Sequence, residues 1–431
     1  MKNKLLFIVL LCSIKQQFSY GQKNIETDIL EIADFYNFKS TAVTFTFDDG
    51  WKEQFIYGVP ILDKYNFKGT FFINPGNTHE KDFALMQKAF AEGHEIGSHS
   101  THHPDLRAIS IDSAEAEIKG SQILINNRFG NNTCQTFCYP FGSRNDLIKK
   151  LVAKYYIASR SLLPTFHFDQ IKDYYDIPSS LFVPGQTLTQ LNNLVDKVIS
   201  NRRWLVEVYH GFEGKGYNPV PAQLFDDHLN YISSKDSLLW IGRFVDVIKY
   251  LREKEEAKVD FSLINDSTFT LNLTDDLPDS IYNFPLSFRI FIPMGWDKVK
   301  VLQNDTIINS YTKIINSKNF LYFNTIPNKG LIKIVGQVSL DFSDNEVFGQ
   351  IYPNPFNDNI NVYFEVLNHP EPITCNLTIV EVGNGRLVYR GKIFDSQISI
   401  DTNSWPKGLY AAIFSYTLNN EVKSFKKLIL K

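Results

Sequence analysis

The stretch TAVTFTFDDG, residues 41–50, decides how this chain is read. Its β-branched and aromatic residues predict a strand over 41–48. The strand runs into Asp48, Asp49 and Gly50, which sets two carboxylates where a strand meets its loop. In a parallel α/β fold that is the end where chemistry is done. Outward from this point, strand patterns recur at 69–74, 95–99, 136–140, 156–160, 204–210 and 238–241. Helical patterns fall between them at 82–92, 112–128, 145–154, 187–201, 221–234 and 244–256, several of them opening after Asp, Ser or Thr. This alternation is the signature of an α/β domain with parallel strands, and seven such strands predict an incomplete (β/α) barrel.

The chain continues well beyond that domain. At 431 residues and roughly 150 residues per domain, two or three domains are expected. After Lys258 the pattern changes to alternation, as in Phe269, Leu271 and Leu273 or Phe288, Ile290 and Ile292, which predicts an antiparallel β-sandwich over 257–337. A third segment, 348–431, also reads as all-β. It opens near IYPNPF, has Asn384 and Gly385 at a hairpin turn, then WPKGLY, and ends in KSFKKLILK. Residues 1–21 read as an export signal, with Lys2 and Lys4 before an apolar run from Leu5 to Leu11 and small residues Ser19 and Gly21 before Gln22. The run is too short for a membrane anchor, which needs about 20 apolar residues, and no integral membrane segment is expected after signal removal. The α/β domain is therefore expected over 22–256.

Composition sets further bounds. Hydrophobic residues at 43% and charged residues at 21% are globular. A formal net charge of -3 gives no electrostatic reason to expect nucleic acid as partner. Export leaves three cysteines, Cys134, Cys138 and Cys375, an odd number that implies no disulfide framework. Cys134 and Cys138 lie four apart in extended chain, which rises ~3.3 Å per residue and holds them too far apart to bridge.

Four pieces carry chemistry. Asp48 and Asp49 repel each other unless one binds a cation and leaves the other free as a base. In GHEIGSHSTHHPDL, His99 and His103 are four apart and could face one side of a helical turn. Two neutral imidazoles and a carboxylate suit zinc and similar ions and leave positions open for water and substrate. His102 cannot share that orientation and reads as structural, and His94 as a packing or hydrogen-bonding residue. In FCYPFG, Pro140 and Gly142 make the chain leave its strand abruptly and expose N–H groups that can stabilise an oxyanion. VEVYHG puts His210 at the end of a late strand, facing the same mouth.

TFDDG, His-Ser-x-x-His, Pro-Phe-Gly and a late His, in this order over roughly 41–250, resemble the polysaccharide deacetylase family of carbohydrate esterases. The resemblance implies a distorted (β/α) barrel and a metal-dependent N- or O-deacetylase acting on an acetylated glycan. It implies Asp48 as catalytic base, Asp49, His99 and His103 as metal ligands, the Phe141 N–H as oxyanion donor and His210 as general acid. Tyr139, Pro140 and Val208 would line the substrate pocket. The ion would be zinc first, with cobalt, nickel or manganese as alternatives. Cys138 stands where the family has an Arg that orients the base, and a thiol cannot supply that charge. Arg160 or Arg144 is expected to take over, Arg160 preferred because strand residues are aimed more rigidly. The Asp that usually supports the catalytic His is missing, with Asp173 or Asp176 as substitutes. IYPNPF, GLY and the basic last strand resemble the C-terminal sorting domain of type IX secretion, which implies that machinery as a partner and a secreted or cell-surface location. Alternatives are a small-molecule metal amidohydrolase and a non-catalytic glycan-binding barrel.

Overall fold

The computed structural model describes residues 30–431 apart from 163–170, 172, 266, 294–295, 297, 317, 338–346, 367–372, 383–384, 395–396 and 419–420. The export signal at 1–21 and Asn384 of the expected hairpin turn lie outside the described residues. Two compact units are present. One holds Ala33–Glu256 with Asp276–Leu286, the other Ala257–Asp275, Ser287–Lys431 and the described residues up to Ile32.

Strand β1 (Leu30–Ile32) belongs to the second unit. The first is built on β2 (Thr41–Asp48), β3 (Thr70–Ile73), β4 (Glu95–Ser98), β5 (Thr136–Cys138), β6 (Ala158–Arg160), β7 (Ser180–Leu181), β8 (Trp204–Tyr209) and β9 (Leu239–Ile241). They form one parallel sheet in the order β6-β5-β4-β3-β2-β8-β7, with β9 also paired to β2. Seven strands were expected and eight are found among the described residues, the addition being the two-residue β7. An isolated parallel bridge from Arg160 to Ile177 brings the chain back towards β6. The fold is a parallel half-barrel with helices, followed by antiparallel sheets.

The helices are α1 (Val59–Lys64), α2 (Glu80–Ala91), α3 (Ile111–Phe129), α4 (Asp146–Val152), α5 (Leu188–Asn201), α6 (Ala222–Ser233) and α7 (Phe244–Glu256). Local chemistry starts them. Ser110 caps α3 by accepting from Ser113 N, Asn145 caps α4, and Thr187 with Gln190 forms a capping box on α5. A π-helical turn over Gln54–Gly58 leads into α1 and was not anticipated.

The period of two along each strand divides its side chains between a helix-facing core and the barrel interior. In β2, Val43, Phe45 and Phe47 enter the apolar core with the helices. Thr44, Thr46 and Asp48 face inward. The hydroxyls inside find acceptors: Thr44 Oγ1 donates to Gly242 O at 2.8 Å and Thr46 Oγ1 to Glu207 O at 2.7 Å. A polar interior is tolerated because it is hydrogen-bonded.

In the second unit, β1 pairs antiparallel with the strand over Leu286–Ile292 in a four-stranded sheet, and a five-stranded antiparallel sheet accompanies it. The strand over Thr268–Thr274 alternates half-buried and buried positions, as its sequence pattern predicts. Residues 347–431 form sheets of three and four strands around a core that includes Phe356, Trp405 and Phe414. Among the described residues no helix is long and apolar enough to cross a membrane.

Candidate functional site

The C-terminal ends of β2, β4, β5, β6 and β8 bring together most of the residues singled out from sequence. Asp49 follows β2 in a left-handed conformation, φ 72°. The Trp51 indole N–H donates to its Oδ2 at 3.2 Å, while Oδ1 faces the histidines. Asp49 Oδ1 lies 3.6 Å from His99 Nε2 and 3.5 Å from His103 Nε2, and the two Nε2 atoms are 3.2 Å apart.

His99 and His103 do not share a helical turn. His99 sits just beyond β4 and His103 in the following loop at φ 63°. A strand-to-loop reversal converges them, and the His103 N–H donates to Ser100 Oγ at 2.9 Å. Non-glycine residues at positive φ are uncommon and gather where a site over-determines the backbone. Asp49, Ser100, His103 and Phe141 are four of them. His99 Nδ1 lies 2.9 Å from the Cys138 carbonyl, an acceptor only, so Nδ1 carries the proton and Nε2 keeps its lone pair. Burial lowers the basicity of His99, which favours that neutral ring. Ligand atoms held tetrahedrally at zinc distances of ~2.1 Å stand ~3.4 Å apart. Edges of 3.2, 3.5 and 3.6 Å fit that spacing.

Asp48 is on the interior face of β2 and almost completely buried. Arg160, fully buried on β6, donates through Nη2 to Asp48 Oδ2 and to Cys138 Sγ, and through Nη1 to Ser179 Oγ at 3.1 Å. Burial pushes the Asp48 carboxyl up, but Arg160, with His99 and His210, outweighs it and holds the group at about 2. Asp48 therefore rests as an anion. Its Oδ1 is buried with no hydrogen-bond partner among the described residues. His210 Nε2 lies 3.8 Å from Asp48 Oδ2. Burial lowers the His210 pKa, opposed by the charges of Asp48 and Asp49.

Three expectations need correction. Tyr139 does not line the pocket. It follows Cys138 by one residue and so points to the other face, where it joins the helix-side core and its hydroxyl donates to Tyr175 O at 2.9 Å. Neither Asp173 nor Asp176 supports His210: Asp173 pairs with Lys149 and Asp176 with Arg144. The His210 Nδ1 is buried without a partner among the described residues. Arg144 is thereby committed to Asp176 and Gly142 O, and it is Arg160 that meets Asp48.

Pro140 and Gly142 are buried in a 3-10 turn that leaves Phe141 exposed at φ 57°, its ring 4.5 Å from that of His103. Val208 is buried on β8, two residues before His210. His102 is held by Glu117 of α3, and His94 Nδ1 accepts from Gly69 N at 3.0 Å near the start of β4. Cys134 and Cys138 are free, buried thiols.

Gln54 was missed. Its amide donates to Asp48 O and, at 2.8 Å, to His210 O, tying the ends of neighbouring strands β2 and β8. The signal was a polar residue inside WKEQFIYG, whose helical turn went unassigned.

Comparison with known proteins agrees with this organisation. Residues 36–158 match polysaccharide deacetylase, and residues 350–431 match a secretion system C-terminal sorting domain. A gellan lyase of Bacillus sp is 26% identical over 331 residues, covering 71% of this chain and 13% of that protein. The peptidoglycan-N-acetylmuramic acid deacetylase PdaA of Bacillus subtilis is 32% identical over 109 residues, 25% of this chain and 41% of its own length. The chain thus spans less than half the length of these relatives. A solved structure of a putative polysaccharide deacetylase from Mycobacterium smegmatis superimposes with a TM-score of 0.42 at 17% identity, covering 52% of this chain and 94% of that one.

Proposed function

From a chain whose residues 36–158 match polysaccharide deacetylase and whose residues 350–431 match a secretion system C-terminal sorting domain, we propose an exported, metal-dependent hydrolase that removes acetyl groups from a polysaccharide or oligosaccharide. The observation that carries this is the triangle of Asp49, His99 and His103 beside a buried anionic Asp48 with one oxygen unpartnered among the described residues. A divalent ion held there, zinc first and cobalt, nickel or manganese as alternatives, would polarise an acetyl carbonyl and acidify a water.

The protein's own groups do the rest. Asp48, ionised at rest, accepts the proton of the attacking water. Arg160 holds that carboxylate through Oδ2 and leaves Oδ1 without a hydrogen-bond partner among the described residues, available to accept the proton. His210 delivers a proton to the departing amine or alkoxide. The Phe141 N–H serves the developing oxyanion. Pro140 and Val208 shape the acetyl pocket. The products are acetate and a deacetylated sugar.

The sorting domain marks the protein for secretion or the cell surface. Engagement of the type IX machinery, removal of residues 1–21 and module boundaries at 257 and 348 are part of the same proposal. A screen of zinc- or cobalt-loaded secreted protein against chitooligosaccharides, peptidoglycan fragments and acetylated xylan tests it. Acetate is expected from one class, abolished by chelator and restored by metal. No acetate from any class, or turnover in excess chelator, would contradict the reading.

A further inference from the structure

Two large aromatic side chains stand at the mouth of the site without a part in the reaction described above. Trp51, in the turn after β2, is 41% exposed, and Tyr217, in the loop after the neighbouring strand β8, is 56% exposed. Each touches a residue of the site. The Trp51 indole N–H binds Asp49 Oδ2, and the Tyr217 ring stands edge-on to His210 with centroids 5.0 Å apart.

The loop that presents Tyr217 is built to be stiff. Gly211 N donates to Tyr217 O at 2.9 Å, Lys215 N to Phe212 O at 2.9 Å and Val220 N to Gly211 O at 3.0 Å. A Cβ on Gly211 would lie 1.8 Å from Lys215 O, so no side chain fits there. Gly216 lies against the Trp51 indole, where a Cβ would sit 3.1 Å from the ring. Glu213 and Asn218 hold left-handed φ of 52° and 40°. Strain of that kind persists where the surroundings fix a functional geometry. Here the fixed geometry sets the Tyr217 loop, through Gly216, against the Trp51 indole while both rings stay exposed.

Exposed apolar surface rimmed by polar groups marks a ligand groove. This surface is in contact with Asp49 and His210, so an occupant that continues from the reacting group would cover it. A pyranose ring fits that demand, since its C–H face covers an aromatic ring while its hydroxyls stay solvated. Resting on the deacetylase reading, we propose that Trp51 and Tyr217 form a shelf for the sugar adjoining the acetylated residue, so that the enzyme acts on residues within a chain and discriminates against acetylated monosaccharides.

The test compares kcat/KM for acetate release from mono-, di- and tetrasaccharides of one acetylated glycan, using metal-loaded full chain, Tyr217→Ala and Tyr217→Phe. The wild type is expected to favour the tetrasaccharide. Tyr217→Ala should raise its KM roughly tenfold, the scale of one aromatic contact, and shrink the advantage over the monosaccharide by the same factor, while Tyr217→Phe preserves it. Equal wild-type rates on all lengths would overturn the shelf and leave the deacetylase reading intact. So would a Tyr217→Ala loss equal on every length, which marks mere support of His210. No acetate from any length overturns both.

Discussion

Two carboxylates are buried inside the same half-barrel, and the protein treats them in opposite ways. Asp48, at the C-terminal end of β2, meets the guanidinium of Arg160 and is held as an anion near 2. Glu95, at the start of β4, accepts its hydrogen bonds among the described residues from neutral donors, Thr70 Oγ1 at 2.8 Å, Thr136 Oγ1 at 2.5 Å and Val245 N at 2.9 Å, with the charge of Arg243 a lesser influence. Burial is its largest influence and raises its pKa. A buried charge is kept where a partner charge offsets the lost hydration, and is otherwise driven towards neutrality. One end of the barrel therefore stores a base, and the other closes a hydrogen-bond network.

The sharpest way to break this contrast is to neutralise each group. Asp48→Asn should abolish acetate release, by roughly a thousandfold or more, while retaining bound metal. Glu95→Gln should keep turnover within a few-fold of wild type. Comparable losses in both variants would erase the distinction. Next in size is Arg160→Ala, which leaves Asp48 buried and unpaired. A cost of about 3–5 kcal/mol in urea-unfolding stability is expected, with an acid limb of the pH–rate profile displaced upward because the charge that lowers Asp48 is gone.

Acid and base should separate the groups at the closed end. His94 is held at about 4, chiefly by burial and against its ordinary 6.5. The unfolded chain binds that proton first, so this contribution is complete above about pH 6.5 and is lost as pH falls towards 4, amounting to about 3 kcal/mol. Glu95 has the opposite sign. With its folded value raised above 4.5, its contribution is complete below that pH and is lost as pH rises through the folded value. Urea midpoints across pH 4–8 for His94→Gln and Glu95→Gln should show the two slopes removed in turn. The smallest effect belongs to Cys138→Ala, expected to alter turnover no more than about threefold, because Arg160 carries the charge beside Asp48. A hundredfold loss there would make the thiol itself part of the machinery.

Much of this was legible in the sequence because strand period and strand ends carry the chemistry. TAVTFTFD gave β2 to the residue, and DDG, HSTHH and YHG placed Asp48, Asp49, His99, His103 and His210 at one mouth. The failures have physical causes. Tyr139 was assigned to the pocket through the resemblance of its motif, yet the pleat turns it to the face opposite Cys138, into the helix-side core. Asp173 and Asp176 lie near β6 and β7, but Lys149 and Arg144 pair with them. Gln54 and Tyr217 act through loops and helical turns whose path depends on tertiary packing, and no periodicity announces them.

The central claim is the ligand triangle, and native mass spectrometry of zinc-loaded protein tests it most directly. One zinc per chain is predicted for the wild type and for Asp48→Asn, with the ion lost from His103→Ala and Asp49→Ala. A wild type that takes up no zinc, or His103→Ala and Asp49→Ala variants that hold it as tightly as the wild type, would contradict the account.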